Sequence, residues 1–208
     1  YRIIAQAQTL GHGKPVILAA YIAPERAANV RLANALIFAS GGTQIQLGEP
    51  GAMLADPYFP NYGTMDEAMQ ATMGRYYDFL VRYENVLSLG THDVTARRGD
   101  DLTIEGIVTQ TTHSRDRVAV IAREGDNHET FSLINLLGIN GEYWDAALAQ
   151  APIPQENLRI RLTTERPVAR VYVASPDQED ISAQAVPFTT TDEGIALTLA
   201  RLDYWNML

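Results

Sequence analysis

Lys14-Pro-Val-Ile-Leu-Ala-Ala-Tyr21-Ile22, opened by the turn Gly11-His-Gly13, is a short and almost unbroken apolar run. A run of this length without polar alternation fits a strand buried on both faces, and such strands belong to parallel sheets. Beyond it, Ala27 to Asn34 is rich in helix formers. Ala35-Leu-Ile-Phe-Ala-Ser-Gly-Gly42 then returns to a buried apolar pattern ending in two glycines, which predicts a second strand. The first residues, Tyr1-Arg-Ile-Ile-Ala-Gln, carry a helical pattern, so the order is helix, strand, helix, strand. Tyr1 is not a translation start and falls inside that helix, so the sequence reads as a piece of a longer chain.

Thr43-Gln-Ile-Gln-Leu-Gly-Glu49 leads into a loop punctuated by Pro50, Gly51, Pro57 and Pro60, too broken for a helix or a central strand. Long irregular loops after parallel strands commonly carry function. Thr64-Met-Asp-Glu67 has the form of a capping box. After it Met69, Met73, Tyr76, Leu80, Tyr83 and Leu87 step by four and three as one apolar stripe, and Gly90 supplies a left-handed stop, predicting a helix over 65–89.

Near Gly90 to Asp93 the helical period gives way to short runs separated by Gly, Asn, Asp or Pro. Segments 102–108, 117–122, 129–135, 158–163, 168–174, 186–188 and 194–199 read as strands. Leu158, Ile160 and Leu162 alternate with Arg159, Arg161 and Thr163, the mark of a sheet with one wet face. Several such strands imply an antiparallel β-sandwich. The expected class is therefore α/β plus all-β, with an α/β part over 1–92 and a sandwich over 93–208. Two strand-plus-helix units cannot close an eight-fold barrel, which needs about 250 residues. If they belong to a (β/α)8 (TIM) barrel they are its last two, because all-β sequence follows directly.

Composition narrows the chemistry. The 208 residues are 46% apolar and 20% charged, as in ordinary globular chains. No window approaches eighteen consecutive apolar residues, and the first residues lack the basic-then-apolar layout of a signal peptide, so no membrane partner is expected. The absence of Cys removes disulfides, thiolate zinc sites and cysteine nucleophiles. A formal charge of −9, with Arg97-Arg98 too short to form a basic stripe, argues against nucleic acid. His12, His92, His113 and His128 show no paired metal spacing. Gly11-His-Gly13 precedes a strand rather than a helix, so it is a turn and not a phosphate loop. No metal, nucleotide or other cofactor is expected.

Several runs resemble the C-terminal part of glycoside hydrolase family 66, which contains endo-dextranases and cycloisomaltooligosaccharide glucanotransferases. They are Lys14 to Tyr21, Ala39-Ser-Gly-Gly-Thr-Gln-Ile-Gln-Leu-Gly-Glu49, Met53-Leu-Ala-Asp-Pro-Tyr-Phe-Pro-Asn61 and Tyr76-Tyr-Asp-Phe-Leu-Val-Arg-Tyr-Glu-Asn85. The similarity extends through Ala122-Arg-Glu-Gly-Asp-Asn-His-Glu129, Ile134-Asn-Leu-Leu-Gly138 and Asp192-Glu-Gly194. It implies a (β/α)8 catalytic barrel followed by a β-sandwich, and a retaining hydrolase acting on α-1,6-linked glucan. Retention needs two carboxyl groups about 5 Å apart. In this family both come from earlier strands, so no catalytic residue is assigned here, and a missing N-terminal part of the barrel, on the same parent chain or on a second chain, is an implied partner. Before Tyr62 the carboxylates are Glu25, Glu49 and Asp56. Glu49 and Asp56 are close in sequence, but loop carboxylates are generally solvated or capping groups and neither matches the family's catalytic positions. The family commonly has His and Glu where Gln44 and Gln46 stand.

Sugar-contact candidates lie on the loop. Tyr21 and Tyr58 can cover the apolar face of a glucose ring, and Asn61 and Glu49 can exchange hydrogen bonds with hydroxyls. Gly41 and Gly42 would let backbone approach a ligand closely. Packing of both tyrosines under the loop, and a tight turn at the glycine pair, account for the same residues. Within the family, cyclising glucanotransferases typically carry a carbohydrate-binding module after the seventh barrel strand. Here Ile22-Ala-Pro-Glu-Arg26 leads directly into a helix, which favours a dextranase. The competing class is a non-catalytic β-sandwich that binds carbohydrate or spaces domains. A polymeric glucan cannot cross a membrane, so the parent enzyme is expected to be secreted or held at the cell surface.

Overall fold

The computed structural model describes residues 1–57, 61–111, 115–139 and 150–208. It is a mixed α/β fold made mostly of sheet. The first part comprises α1 (Arg2–Leu10), β1 (Ile17–Ala19), α2 (Ala27–Ala39), β2 (Thr43–Ile45), β3 (Ala52–Leu54), β4 (Tyr62–Thr64), α3 (Glu67–Arg82) and α4 (Glu84–Leu87). There follow β5 (His92–Asp93), α5 (Thr95–Arg98), β6 (Leu102–Ile104), β7 (Thr109–Gln110), β8 (Val118–Glu124), β9 (Glu129–Asn135) and β10 (Gln155–Thr163). The chain continues through β11 (Tyr172–Val173), β12 (Gln184–Ala185), β13 (Phe188–Thr191), β14 (Gly194–Leu202) and β15 (Trp205–Met207). Among the described residues no helix is long and apolar enough to cross a membrane.

β1 and β2 pair in parallel, with Ile17 opposite Thr43 and Ala19 opposite Ile45. Among the described residues neither strand has a second neighbour. One face of the pair, carrying Leu18, Ala20, Gln44 and Gln46, packs toward the helices. The other leaves Ile17 59% and Ile45 56% exposed, so the described residues do not bury the pair on both faces.

The second strand is not where the apolar run placed it. Ala35 to Ala39 completes α2, and β2 begins after the glycines. Most of α2 is buried around its whole circumference, from Ala28 to Ala39, and a helix with no wet face has the same unbroken apolar sequence as a buried strand. Gly41 and Gly42 stop that helix. Gly41, at φ +77°, donates to Phe38 O at 2.9 Å and Gly42 donates to Ile37 O at 3.0 Å, the paired bonds of a Schellman cap.

The cap of the next helix also shifts. Asp66, not Thr64, is the N-cap, accepting from the Met69 amide at 2.7 Å, while Thr64 ends β4. α3 stops at Arg82, short α4 follows, and Gly90 takes the expected left-handed conformation, at φ +70°.

The later strands form two main sheets. One runs β15-β9-β8-β5 with β7 alongside β8, and the other runs β13-β14-β10-β6. β9 has the expected bounds, and β10 alternates as expected, with Leu158 and Ile160 buried between exposed arginines. Segments 102–108 and 168–174 are strand only at Leu102–Ile104 and Tyr172–Val173, and the expected 186–188 strand begins at Phe188. β15 lay outside every expected segment.

The five-stranded sheet has no wet face, because β8 is buried along its full length. Its Ala119, Ile121 and Ile134 join Ile4, Phe38, Tyr76, Phe79 and Trp205 in one core with the helices. Its Val118, Val120, Ala122 and Leu133 form a second core with Leu158, Ile160, Leu197 and Leu199 of the other sheet. The molecule is thus three layers deep, and the middle sheet serves both cores. A third, smaller core gathers Ile22, Val30 and four methionines, Met53, Met65, Met69 and Met73, under the β3–β4 hairpin.

Candidate functional site

Parallel pairing fixes which residues share an end of β1 and β2. Tyr21 lies two residues past Ala19, and Leu47 two past its partner Ile45, so Tyr21 and the turn from Leu47 to Glu49 emerge together. The turn closes when Ala52 donates to Glu49 O at 2.8 Å and Gly48 to Ala52 O at 3.1 Å. The chain then folds back as β3, where Leu54 donates to Gln46 O at 2.7 Å, and returns as β4.

Two glycines lock these segments by letting rings approach the backbone. A Cβ on Gly48 would lie 2.2 Å from Cε1 of Tyr62, and one on Gly63 would lie 2.4 Å from Cδ of Pro24. Pro24 follows β1, so the loop after β1, the turn after β2 and β4 interlock over the methionine-lined core.

Of the residues singled out from sequence, Tyr21 and the exposed Glu49 belong to this end of the strands, whereas Asn61, also exposed, precedes β4, whose Tyr62 pairs with Leu54 on the stretch that runs back from the turn. Tyr58 lies outside the described residues. Gly41 and Gly42 stand at the opposite end of β2. The five residue steps from Gly42 to Leu47, at about 3.3 Å each, separate them by about 16 Å from the turn. Asp56 is half-buried and Glu49 exposed, so this end offers aromatic faces, amides and single carboxylates suited to holding hydroxylated ligands. Among the described residues no group of three His, Asp or Glu could hold a metal ion, and His113 lies outside them.

Sequence reasoning missed what supports this end. Gln44 and Gln46 are buried against the helices, where Gln44 Nε2 donates to Gln46 Oε1 at 3.1 Å and to Asn34 Oδ1. Tyr77 donates to Gln44 O at 3.3 Å, and burial pushes its phenol up to about 12. The period-2 pattern of Thr43 to Leu47 signals that the glutamines share a face, but not which face the helices cover.

At the far end, Arg123 of β8 is only 3% exposed. It donates to Thr91 Oγ1 and Ser40 O at 3.0 Å and to Thr91 O at 3.2 Å. Desolvation lowers its pKa, and its guanidinium lies against Gly41, where a Cβ would come within 2.7 Å of Cζ. A second tie is Asp177. It accepts from Arg31 and Tyr76 at 2.7 Å, and from the Tyr204 and Trp205 amides at 2.9 and 2.8 Å. Arg31 also stacks 3.6 Å above the Tyr204 ring.

The chain thus joins a parallel strand pair backed by helices to two mainly antiparallel sheets that share a core. The family model for glycosyl hydrolase family 66 matches residues 1–208, and the chain belongs to that family. A cycloisomaltooligosaccharide glucanotransferase of Niallia circulans is 34% identical over 188 residues, 86% of this chain and 19% of that protein. A dextranase of Streptococcus salivarius is 26% identical over 239 aligned residues, covering 100% of this chain and 28% of that protein. Among solved structures, a Paenibacillus cycloisomaltooligosaccharide glucanotransferase complexed with cycloisomaltoheptaose superposes with a TM-score of 0.79 at 28% identity, over 91% of this chain and 27% of its own. The chain therefore spans between about a fifth and just over a quarter of the length of these relatives.

Proposed function

We propose that this chain is the C-terminal portion of a retaining glycoside hydrolase acting on α-1,6-linked glucan, dextranase-like in its reaction. In this reading 1–92 hold the last two βα units of a (β/α)8 barrel, 93–208 form a β-sandwich, and the two catalytic carboxyl groups lie on an upstream segment of the same polypeptide. One observation carries it. Among the described residues β1 and β2 form a two-stranded parallel sheet with open edges and an apolar face left to solvent at Ile17 and Ile45. Apolar surface is worth about 25 cal/mol per Å² when buried, so that face calls for further strands. Tyr21 and Glu49 then stand at the end of the strands where barrel enzymes place their substrates, with Asn61 on the hairpin that follows. The parent is secreted, since its polymeric substrate stays outside the cell.

The relatives at 34% and 33% identity are cyclising glucanotransferases, which favours transglycosylation as a second reading. The short connection from Ala19 to Ala27, with no room for an inserted module, favours hydrolysis. The test compares the full-length polypeptide with the 208-residue chain on dextran. The full-length protein releases isomaltooligosaccharides, linear for a hydrolase and cyclic for a glucanotransferase, and the chain alone releases none. Product release by the chain alone, or none by the full-length protein, refutes the assignment.

A further inference from the structure

A cavity of about 760 Å³ opens between the two sheets beneath the segment 164–172, in the size range of small-molecule sites. Its walls are apolar, built from Phe131, Ile160, Leu162, Val168, Leu197 and Leu208. Its rim divides into two chemically different halves. In the first, the charges are consumed. Arg166 and Arg97 hold Glu124 at 2.5 and 2.6 Å, and both oxygens of Glu129 accept from Arg98 at 3.0 Å. In the second, Asp126, Asn127, His128, Arg170 and Tyr172 face the opening, and none of their side chains forms a hydrogen bond or ion pair among the described residues.

The second half is preorganised. The His128 imidazole lies against Gly125, where a Cβ would meet its Cε1 at 2.4 Å, which holds the ring at the β8–β9 turn. Tyr172, 43% exposed, is anchored through its backbone pairing with Ala185. The free groups supply both donors and acceptors, and the formal charges of Asp126 and Arg170 cancel. A fatty-acid-like anion would need a net positive mouth. A neutral ring with an apolar face and hydroxyl edges meets an apolar wall, an aromatic ring and a charge-balanced polar lip.

We propose that this cavity is a second glucan-binding site, remote from β1 and β2, which takes glucosyl units of the polymeric substrate with Tyr172 as the aromatic platform and Arg170, Asp126 and His128 on the hydroxyls. The proposal rests on the α-glucan reading given above for its ligand. Such a site tethers the enzyme to polymer without entering the reaction.

Affinity electrophoresis of the full-length polypeptide in native gels containing dextran tests it, with Tyr172→Ala and Arg170→Ala compared with the parent. Both positions are exposed, and circular dichroism checks that each variant keeps the parental fold. Each variant is expected to lose retardation, with an apparent dissociation constant raised at least about fivefold. Turnover and KM on a short isomaltooligosaccharide should stay within about twofold of the parent. Retardation unchanged in both variants, while the parent cleaves α-1,6-glucan, overturns this site and leaves the enzyme assignment standing. Equal loss of activity on the short substrate overturns the remote role. A parent that neither binds nor cleaves α-1,6-glucan overturns both, and dextran-insensitive binding of octanoate abolished by Arg170→Ala identifies an amphiphile site instead.

Discussion

Removing Asp177 should cost the fold heavily, because it ties α2 and α3 to the C-terminal strand. Its side chain is 1% exposed, and four donors from three parts of the chain converge on its two oxygens: Arg31 of α2, Tyr76 of α3, and the amides that open β15. Asp177→Ala leaves a largely buried guanidinium without a counter-charge, together with a buried phenol and two orphaned amides. Breaking a buried pair by removing one partner costs about 3–5 kcal/mol, and an unsatisfied buried donor about 1–3 kcal/mol. Some of these donors regain water when the side chain shrinks, so the expected loss is about 4 kcal/mol rather than the sum. Guanidinium unfolding followed by tryptophan fluorescence reads it directly, because Trp205 packs on Phe79 in the same core, with ring centroids 4.9 Å apart. Asp177→Asn keeps an acceptor but removes the charge, and should lie between parent and Ala variant. Combining Asp177→Ala with Arg31→Met removes the stranded cation, so the double variant should be more stable than the sum of the two single losses. A loss below about 1 kcal/mol for Asp177→Ala, or strict additivity in the cycle, would refute the claim that this carboxylate joins the helices to the C-terminal strand.

Further outcomes follow from other contacts. Gly41→Ala should destabilise by about 2 kcal/mol or more, measured by the same unfolding assay, since φ +77° costs an L-residue about 1–2 kcal/mol and the new Cβ meets the Arg123 guanidinium. Asp66→Ala should lose about 1 kcal/mol as a helix cap, whereas Thr64→Ala stays within about 0.5 kcal/mol; the reverse order would restore the capping box at Thr64. Tyr1 and Tyr77 are both held protonated to about pH 12, chiefly by burial, with an added bond from Tyr1 to Asp93. Their contribution to stability is therefore complete below pH 10, where the unfolded phenols are also protonated, and is lost as pH rises through 12. Tyrosinate absorbance tracked alongside unfolding checks it, and stability that stays level or rises across that window contradicts it. In the full-length enzyme, Tyr21→Ala should raise KM for dextran several-fold, and unchanged kinetics would remove Tyr21 from the substrate end.

The parts legible in sequence are those with one wet face or one clear punctuation mark. β10 announced itself because Leu158 and Ile160 alternate with arginines, and the stop at Gly90 because a lone glycine closes an apolar stripe. α2 was read half as strand because burial on every side erases the 3.6-residue period that would mark a helix. The strand reading puts Gly41 and Gly42 at the C-terminal end of a strand, whereas they cap α2 before β2 begins. Asp177 could not be picked out, since its partners at Arg31 and Tyr76 are 146 and 101 residues away and nothing local marks it. Tyr21 and Glu49 could be singled out because irregular sequence after a parallel strand is informative by itself. The cavity rim at Asp126 to Tyr172 could not, because it is assembled from a hairpin turn and a strap that meet only in the folded chain.

The middle sheet explains why the two sequence patterns, so distinct along the chain, do not separate into independently packed bodies. In Val118-Ala-Val-Ile-Ala122 the even residues face one core and the odd residues the other, so one strand contributes to both at every step. A shift of one residue in its pairing with β9 would exchange the two sets, forcing Ile121 into the space of Val120 or Ala122 and Arg123 into an apolar interior. Among the described residues Arg123 has its acceptors on the helical side, at Ser40 and Thr91. The buried guanidinium thus fixes the register of β8, and with it the position of the outer sheet relative to β2. The cavity between the sheets and the C-terminal end of β1 and β2 are therefore held at a set distance by a residue that lines neither.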